Sequence, residues 1–288
     1  MKKFSTILQT NWDWRAAGNF MFGGTGSALL VVMALSSVTE PPHVASGLIA
    51  LTLVGAGLGL VWLEIGRPWR ALHVYFNPQT SWMTREGIVA LFAFSLTFAG
   101  LVLQNTLLII LAGVAGAAYL FCQSQMLRAS KGIPAWREPT VVALIITTGL
   151  TEATALLLVI VSLVGDAPGW LSYALLVLLG LRATAWFIYR NNLEIAKAPR
   201  PTLVILDGIT RLFIFGGNVL PAILVILALL TVDASTVFKV SASVTAVLAG
   251  WYLKFTIVTR AAQVQGYSFG KLKRGHPLGL KPSKTTSG

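Results

Sequence analysis

One polar stretch of the sequence, residues 64–86, carries the side chains best suited to chemistry. It reads EIGRPWRALHVYFNPQTSWMTRE and lies between two long apolar segments. Reduction of a quinone needs a hydrogen-bond donor or acid at each carbonyl, a proton path to water and a flat apolar cleft. Acidic, basic and aromatic groups in this stretch could supply all three. Taken singly, each residue fits equally well a solvated loop whose aromatic rings anchor the bilayer.

Two further candidates, Glu152 and Arg182, lie inside apolar segments. A charged group at the centre of a membrane helix costs about 2.5–3.5 kcal/mol on insertion scales, so it needs a structural or functional reason. The short turn between their segments makes these neighbours antiparallel, and we expect Glu152 and Arg182 to pair. The pair could be a structural ion pair, part of a proton path or a quinone-facing group. Lys254, near the end of the last segment, is expected to snorkel and act as an anchor.

The elements that must position these residues are membrane helices. The chain has 288 residues and a mean hydropathy of +0.74, with only 11% charged residues, against about 25% in soluble domains. A bilayer core needs about 20 apolar residues per helix. The sequence therefore predicts an all-α, polytopic membrane domain over residues 1–260, followed by a basic tail over 261–288. Eight spans are predicted, at residues 16–35, 44–63, 86–103, 106–124, 140–164, 170–189, 212–230 and 241–257.

The basic residues predict the orientation of these spans. Of 22 Lys and Arg residues, 19 fall in the N-terminal stretch, the 64–86 loop, two further loops and the tail, all on one side of the membrane. The positive-inside rule places that side, with both termini, in the cytoplasm. We expect the cytoplasmic membrane of a bacterium or archaeon, and no cleaved signal peptide. The net charge of +12 does not indicate nucleic acid binding, because its residues do not cluster on one soluble face.

The metal-ligating residues are too few for most redox centres. A single cysteine, Cys122, cannot supply an iron–sulfur cluster, a structural zinc site or an internal disulfide. The three histidines, His43, His73 and His276, lie outside the predicted spans, whereas a b-type haem in a helical bundle usually needs two at membrane depth. We expect a chain without haem or metal.

Two motifs resemble the DmsC/NrfD family, the membrane-anchor subunits of molybdopterin oxidoreductases. The first is Asn11-Trp12-Asp13-Trp14, which leads into a glycine-bearing span. The second is the sequence EIGRPWR at residues 64–70, followed by residues 81–86. Eight spans without haem agree with the family over most of the chain. Glu64 stands where the DmsC branch has histidine, and an acidic residue there is closer to the NrfD branch.

The resemblance implies a quinone or quinol site near the 64–86 loop, for ubiquinone or menaquinone. Electrons would pass between it and a four-cluster, ferredoxin-like iron–sulfur subunit, which connects to a molybdopterin catalytic subunit on the same face. By position, Arg70 matches the motif arginine and Glu86 the glutamate that opens the third helix. With Glu64, these are the expected catalytic residues. The expected quinone-binding residues are Arg67, Trp69, His73, Trp82 and Arg85.

The predicted orientation places the partner subunits in the cytoplasm, and so favours a dehydrogenase that reduces quinone. Within the family, the anchor of phenylacetyl-CoA:acceptor oxidoreductase is the first candidate and that of a cytoplasm-facing sulfite dehydrogenase the second. A quinol-oxidising anchor of the DMSO-reductase type, as used in anaerobic respiration, is a further alternative. Two other classes stay open: a secondary transporter, which would show broken helices and an inverted repeat, and a purely structural anchor.

Overall fold

The computed structural model of the chain describes residues 6–65, 73, 75–165, 167–231 and 234–264. Within this part, eight helices are long and apolar enough to cross a membrane. The prediction of an all-α bundle of eight spans is confirmed. Residues 265–288 of the expected tail lie outside the described residues. The helices are α1 Trp14–Ser36, α2 Val44–Glu64, α3 Trp82–Val102, α4 Thr106–Ala129, α5 Thr140–Val164, α6 Gly169–Ile195, α7 Arg200–Leu230 and α8 Ser235–Arg260.

Three helices begin at least four residues earlier than the apolar pattern predicts. Helix α3 begins at Trp82, after the N-cap residue Ser81, whose hydroxyl accepts a hydrogen bond from the Thr84 N–H at 3.2 Å. Glu86 therefore lies in the second turn of α3, and its expected place in the first turn is wrong. Helices α7 and α8 begin 12 and 6 residues before their predicted starts. The first turns of α7 are amphipathic, with Thr202, Leu206 and Ile209 buried on one face, so average hydropathy underestimates the helix length there.

Helices α1 and α5 form the centre of the bundle. Of the most apolar part of each helix, 78% is buried in α1 and 67% in α5, against 28–50% in the other six. Helix α1 packs on α2, α4, α5 and α8, and α5 packs on α1, α4, α6 and α8. Large apolar side chains cover the outer surface, among them Phe92, Phe98, Leu107, Val177 and Phe187. An apolar exterior on this scale is what a lipid-facing surface requires.

Three helices contain π-helical turns, which widen the helix by one residue and often occur at functional sites. They are Asn19–Gly23 in α1, Leu212–Val219 in α7 and Thr256–Arg260 in α8. The turn in α1 lies near the end of the bundle that carries the 64–86 loop. The turns in α1 and α7 carry buried asparagines, Asn19 and Asn218, whose amides bind other buried polar groups.

A short two-stranded sheet closes the same end of the bundle. Strand β1, Ile7–Leu8, pairs antiparallel with β2, Gln263–Val264, and so ties the N-terminal segment to the chain that follows α8. A one-turn helix, Pro134–Arg137, packs against this region, and its Trp136 Nε1 donates to the Ile257 carbonyl at 2.8 Å. The N-terminal segment is therefore fixed above the ends of α1, α4 and α8.

Candidate functional site

A narrow cleft of about 20 Å³ opens at the loop end of the bundle, between α1, α2, α3 and α4. In this conformation the cleft has room for about one water molecule, so a flat ring would enter only when the flexible Met83 and Met126 side chains move aside. The walls are mostly apolar, with one amide and one carboxylate. The lining residues are Trp12, Ala16, Asn19, Phe20, Val61, Glu64, Met83 and Met126.

The N-terminal segment places Trp12 on this cleft. The Gln9 side chain donates to the carbonyls of Trp12, at 2.6 Å, and Val258, at 3.1 Å. Its oxygen accepts from the Trp12 N–H at 2.8 Å. The Trp12 ring stacks on Trp136 with 4.7 Å between ring centroids. Both the backbone and the ring of Trp12 are therefore held, which gives the cleft a rigid aromatic wall.

A salt bridge at the start of α1 fixes the end of α2 and thereby Glu64. Arg15 binds the Asp13 carboxylate at 2.8 Å, and its guanidinium also donates to the Leu63 carbonyl at 2.8 Å. Hydrogen bonds from Arg15 lower the pKa of Asp13 below its ordinary value. Asp13 is thus charged at neutral pH, and its side chain also caps the N-terminus of α1. Glu64, half-buried, follows Leu63 and reaches the cleft.

Glu86 lies behind the cleft, connected to it through Asn19. The Asn19 amide donates to Glu86 Oε1 at 3.1 Å, and Asn19 Oδ1 accepts from the Tyr119 hydroxyl at 3.2 Å. Gln123 Nε2 donates to the Asn19 carbonyl at 2.8 Å. All four side chains are at most 2% exposed. The cluster therefore places a buried carboxyl group one residue away from the cleft.

The charged residue that pairs with Glu152 is Lys254. Lys254 Nζ lies 2.6 Å from Glu152 Oε2, and both side chains are fully buried. The same carboxylate oxygen accepts from the Thr25 hydroxyl at 2.5 Å, and Trp251 Nε1 donates to that hydroxyl at 2.9 Å. The expectation that Lys254 snorkels to the interface is wrong. It lies on the face of α8 that packs against α5, so its ammonium points into the bundle.

Arg182 is fully buried but does not pair with Glu152, and the prediction of that ion pair is wrong. Its guanidinium donates to Asn218 Oδ1 at 2.9 Å, to the Ala246 carbonyl at 3.0 Å and to the Gly217 carbonyl. It also lies 5.2 Å from the centre of the Phe213 ring. Helices α5 and α6 are neighbours as expected, but the Arg182 side chain turns towards the π-helical turn of α7.

The structure divides the predicted residues of the 64–86 loop into separate groups. Glu64 and Glu86 lie at or behind the cleft, whereas Arg85 binds the carbonyls of Pro78 and Gln79 at 2.7 Å each and covers the Trp82 ring. Arg85 thus binds the backbone of its own loop. The His73 side chain is exposed and contacts the Phe76 ring, and the Trp82 ring meets Phe121. Arg67, Trp69 and Arg70 lie outside the described residues.

Three residues of the site were missed by sequence reasoning: Asn19, Tyr119 and Gln123. Tyr119 and Gln123 are four residues apart in an apolar segment, so they lie on one face of α4. Two polar residues at that spacing inside a span were a usable signal. The sequence offered no comparable signal for Asn19, because the direction of its side chain depends on the π-helical turn. No group of three potential metal ligands occurs among the described residues.

One curated protein with significant similarity is a sulfite dehydrogenase subunit of Allochromatium vinosum. The two are 28% identical over 159 residues, which cover 49% of this chain and 49% of the relative. The match thus spans about half the length of the relative. No family model matches the chain.

Proposed function

We propose that this chain is the membrane subunit of an oxidoreductase complex and that it binds a quinone in the cleft at the loop end. The observation that carries the proposal is the buried Glu86 carboxyl group, linked through Asn19 to a narrow cleft with a fixed indole wall. An acid behind a flat apolar cleft is what quinone reduction requires. The similarity to a sulfite dehydrogenase subunit supports the class of complex, and it ranks a sulfite dehydrogenase above phenylacetyl-CoA:acceptor oxidoreductase as the enzyme it serves.

In this proposal the chain binds the quinone and supplies its protons. Each quinone takes up two electrons and two protons to become a quinol. Trp12 and Phe20 would hold the ring, and the Asn19 amide would bind one carbonyl oxygen. Glu86 would give one proton to the reduced ring on the buried side. Glu64, at the cleft wall, would pass the second proton from water.

The electrons would come from partner subunits docked on the loop end. We assign to them a four-cluster iron–sulfur protein and a molybdopterin catalytic protein in the cytoplasm, as the resemblance to the DmsC/NrfD family implies. Basic residues at this end agree with a cytoplasmic location. They include Arg128, Lys131, Arg137, Lys197 and Arg200.

Quinone binding to the full chain in lipid nanodiscs tests the proposal. Titration with decylubiquinone and with menadione should quench tryptophan fluorescence in the wild type. Asn19→Leu should weaken binding by up to about tenfold, because a hydrogen bond between neutral groups contributes about 0.5–1.5 kcal/mol. Glu86→Gln should bind quinone but lose quinone-linked activity in the complex.

Glu194→Gln is the matched control for the carboxyl change. Its side chain is 70% exposed and lies on the surface of α6, in an ion pair with Arg190, so neither binding nor activity should change. If quinone binding is saturable and has the same affinity in the wild type and in Asn19→Leu, the quinone does not bind in the cleft. Solute transport by the purified chain, unaffected by quinone, would favour the secondary transporter instead.

A further inference from the structure

We propose that a buried polar track leads from Glu86 to the Glu152–Lys254 pair at the centre of the bundle and delivers protons to the quinone site. The inference rests on the proposed function, since quinone reduction at the cleft would consume these protons. At about 1.5 Å per residue, Glu86 lies about 6 Å from the start of α3 and Glu152 about 18 Å from the start of α5. The track would therefore reach well into the membrane.

Both ends of the track are hydrogen-bonded clusters. At the quinone end, Glu86 accepts from the Asn19 amide, and the Asn19 side-chain oxygen accepts from the Tyr119 hydroxyl. At the central end, Lys254 and Glu152 form the ion pair, with the Thr25 hydroxyl on the same carboxylate oxygen. Hydroxyl and carboxyl groups can both donate and accept, so each cluster can pass a proton.

Gln123 spans the space between the two clusters, and the missing side chains of two glycines keep that space open. A Cβ on Gly23 would stand 2.8 Å from the Tyr119 hydroxyl and 3.3 Å from Gln123 Nε2. A Cβ on Gly24 would stand 2.6 Å from Gln123 Oε1 and 3.0 Å from Lys254 Nζ. The Gln123 amide thus faces one cluster with its nitrogen and the other with its oxygen.

Unpartnered polar atoms mark the track as a place for water. Gln123 Oε1, Glu152 Oε1 and Thr148 Oγ1 are buried and have no hydrogen-bond partner within the described part of the chain. Leaving such an atom unsatisfied costs about 1–3 kcal/mol, and buried water normally fills this need. Because Gln123 Oε1 makes no direct bond with Lys254 Nζ although both atoms approach Gly24, one water molecule would bridge them.

Each step moves one proton from one oxygen or nitrogen atom to another, and no bond to carbon forms or breaks. After Glu86 has given a proton to the reduced quinone, the Lys254 ammonium gives one to the bridging water. A second water beside the Gln123 amide would carry the proton to the Tyr119 hydroxyl, which turns from Asn19 Oδ1 and gives its own proton to the Glu86 carboxylate. The Glu152–Lys254 pair then takes up a proton from the aqueous phase. The two electrons come from the donor that reduces the quinone.

Gly24→Ala tests the track because its Cβ would enter the space between Gln123 and Lys254, while both charged groups of the ion pair and all residues of the cleft stay unchanged. The full chain in nanodiscs is loaded with decylubiquinone, which a photoexcited flavin then reduces in a time-resolved infrared cell. The carboxyl band of Glu86 is identified by its loss in Glu86→Gln. In Gly24→Ala, its reprotonation should slow at least tenfold, in line with the 10²–10⁴-fold contribution of positioned proton donors. Quinone affinity should not change.

Gly180→Ala is the matched control, because a Cβ there meets nothing within 4 Å, and its kinetics should equal those of the wild type. The double variant Glu152→Gln/Lys254→Met, which removes both charges together, should slow reprotonation as much as Gly24→Ala. Wild-type kinetics in Gly24→Ala and in the double variant would overturn the track and leave the quinone site intact. Absence of any quinone-dependent signal in the wild type would overturn the proposed function, and the track with it.

Discussion

At the residue scale, the interior charges are distributed according to which groups can satisfy them. Glu152 and Lys254 neutralise each other, whereas Arg182 is surrounded by an amide oxygen and two carbonyl oxygens. A guanidinium has five N–H donors in a fixed fork and can be satisfied by neutral acceptors. An ammonium is a compact point charge and favours a carboxylate. These differences explain why α6 contributes an arginine and α8 a lysine.

Removing one partner of the Glu152–Lys254 pair should destabilise the protein strongly. Lys254→Met leaves the Glu152 carboxylate buried without its partner, and such changes cost about 3–5 kcal/mol. The double variant Glu152→Gln/Lys254→Met leaves no unpaired charge and should regain more than half of the loss. Chemical unfolding in mixed micelles measures both.

Lys239→Met is the control for the loss of a lysine. Lys239 is half-buried near the start of α8, and its replacement should change the free energy of unfolding by less than about 0.5 kcal/mol. Glu152→Gln completes the cycle, and a loss in the double variant equal to the sum of the two single losses would show that the two groups are not energetically coupled.

The sequence identified the charged interior residues but not their partners. Glu152, Arg182 and Lys254 all stood out as charges within apolar segments. Which of them meet depends on the rotation of three helices about their axes, and a uniformly apolar span gives little indication of that rotation. Lys254 lies near the end of the last predicted span, close enough to suggest snorkelling. The packing of α8 on α5 overrides that preference.

At the element scale, close helix packing around α1 depends on glycine. A Cβ on Gly26 would lie 2.7 Å from the Ala50 carbonyl and 2.8 Å from the Val54 nitrogen of α2. On the α4 side, a Cβ on Gly116 would meet the Ser27 carbonyl and lie 3.0 Å from Leu30 Cβ. Because backbone atoms cannot move aside as a flexible side chain can, both sites require glycine. Small residues at such contacts are typical of membrane helix pairs.

Gly26→Ala should therefore separate α1 from α2 and lower the free energy of unfolding by about 1–3 kcal/mol, the usual effect of overpacking. Gly59→Ala is the matched control in α2, since a Cβ there meets nothing within 4 Å. It should leave stability unchanged or raise it by up to about 1 kcal/mol, because alanine favours the helix over glycine. Unfolding in mixed micelles compares the two. Equal stability of both variants would mean that the helices adjust without loss.

The number of spans could be predicted from the sequence, whereas helix ends and π-helical turns could not. Length and hydropathy determine the number of spans, since about 20 apolar residues are enough for a helix to cross the membrane. The first turns of α3, α7 and α8 are amphipathic or polar, so the apolar pattern begins too late. The π-helical turn Asn19–Gly23 leaves no periodic signal. That turn carries the asparagine that connects the cleft with Glu86, which is why the site was placed in the loop and not behind it.

At the scale of the whole molecule, the cleft, the sheet and the basic loops lie at one end of the bundle, and we predict that this end faces the cytoplasm. Cys122, the single cysteine, is 6% exposed, so Cys122→Ser gives a background for labelling with a membrane-impermeant maleimide. Thr80 and Thr39 are exposed residues in loops at opposite ends. Thr80→Cys should react only in inside-out membrane vesicles and Thr39→Cys only in right-side-out vesicles. The reverse pattern would place the partner subunits outside the cytoplasm and favour a quinol-oxidising enzyme, because the catalytic subunits must dock where the cleft opens.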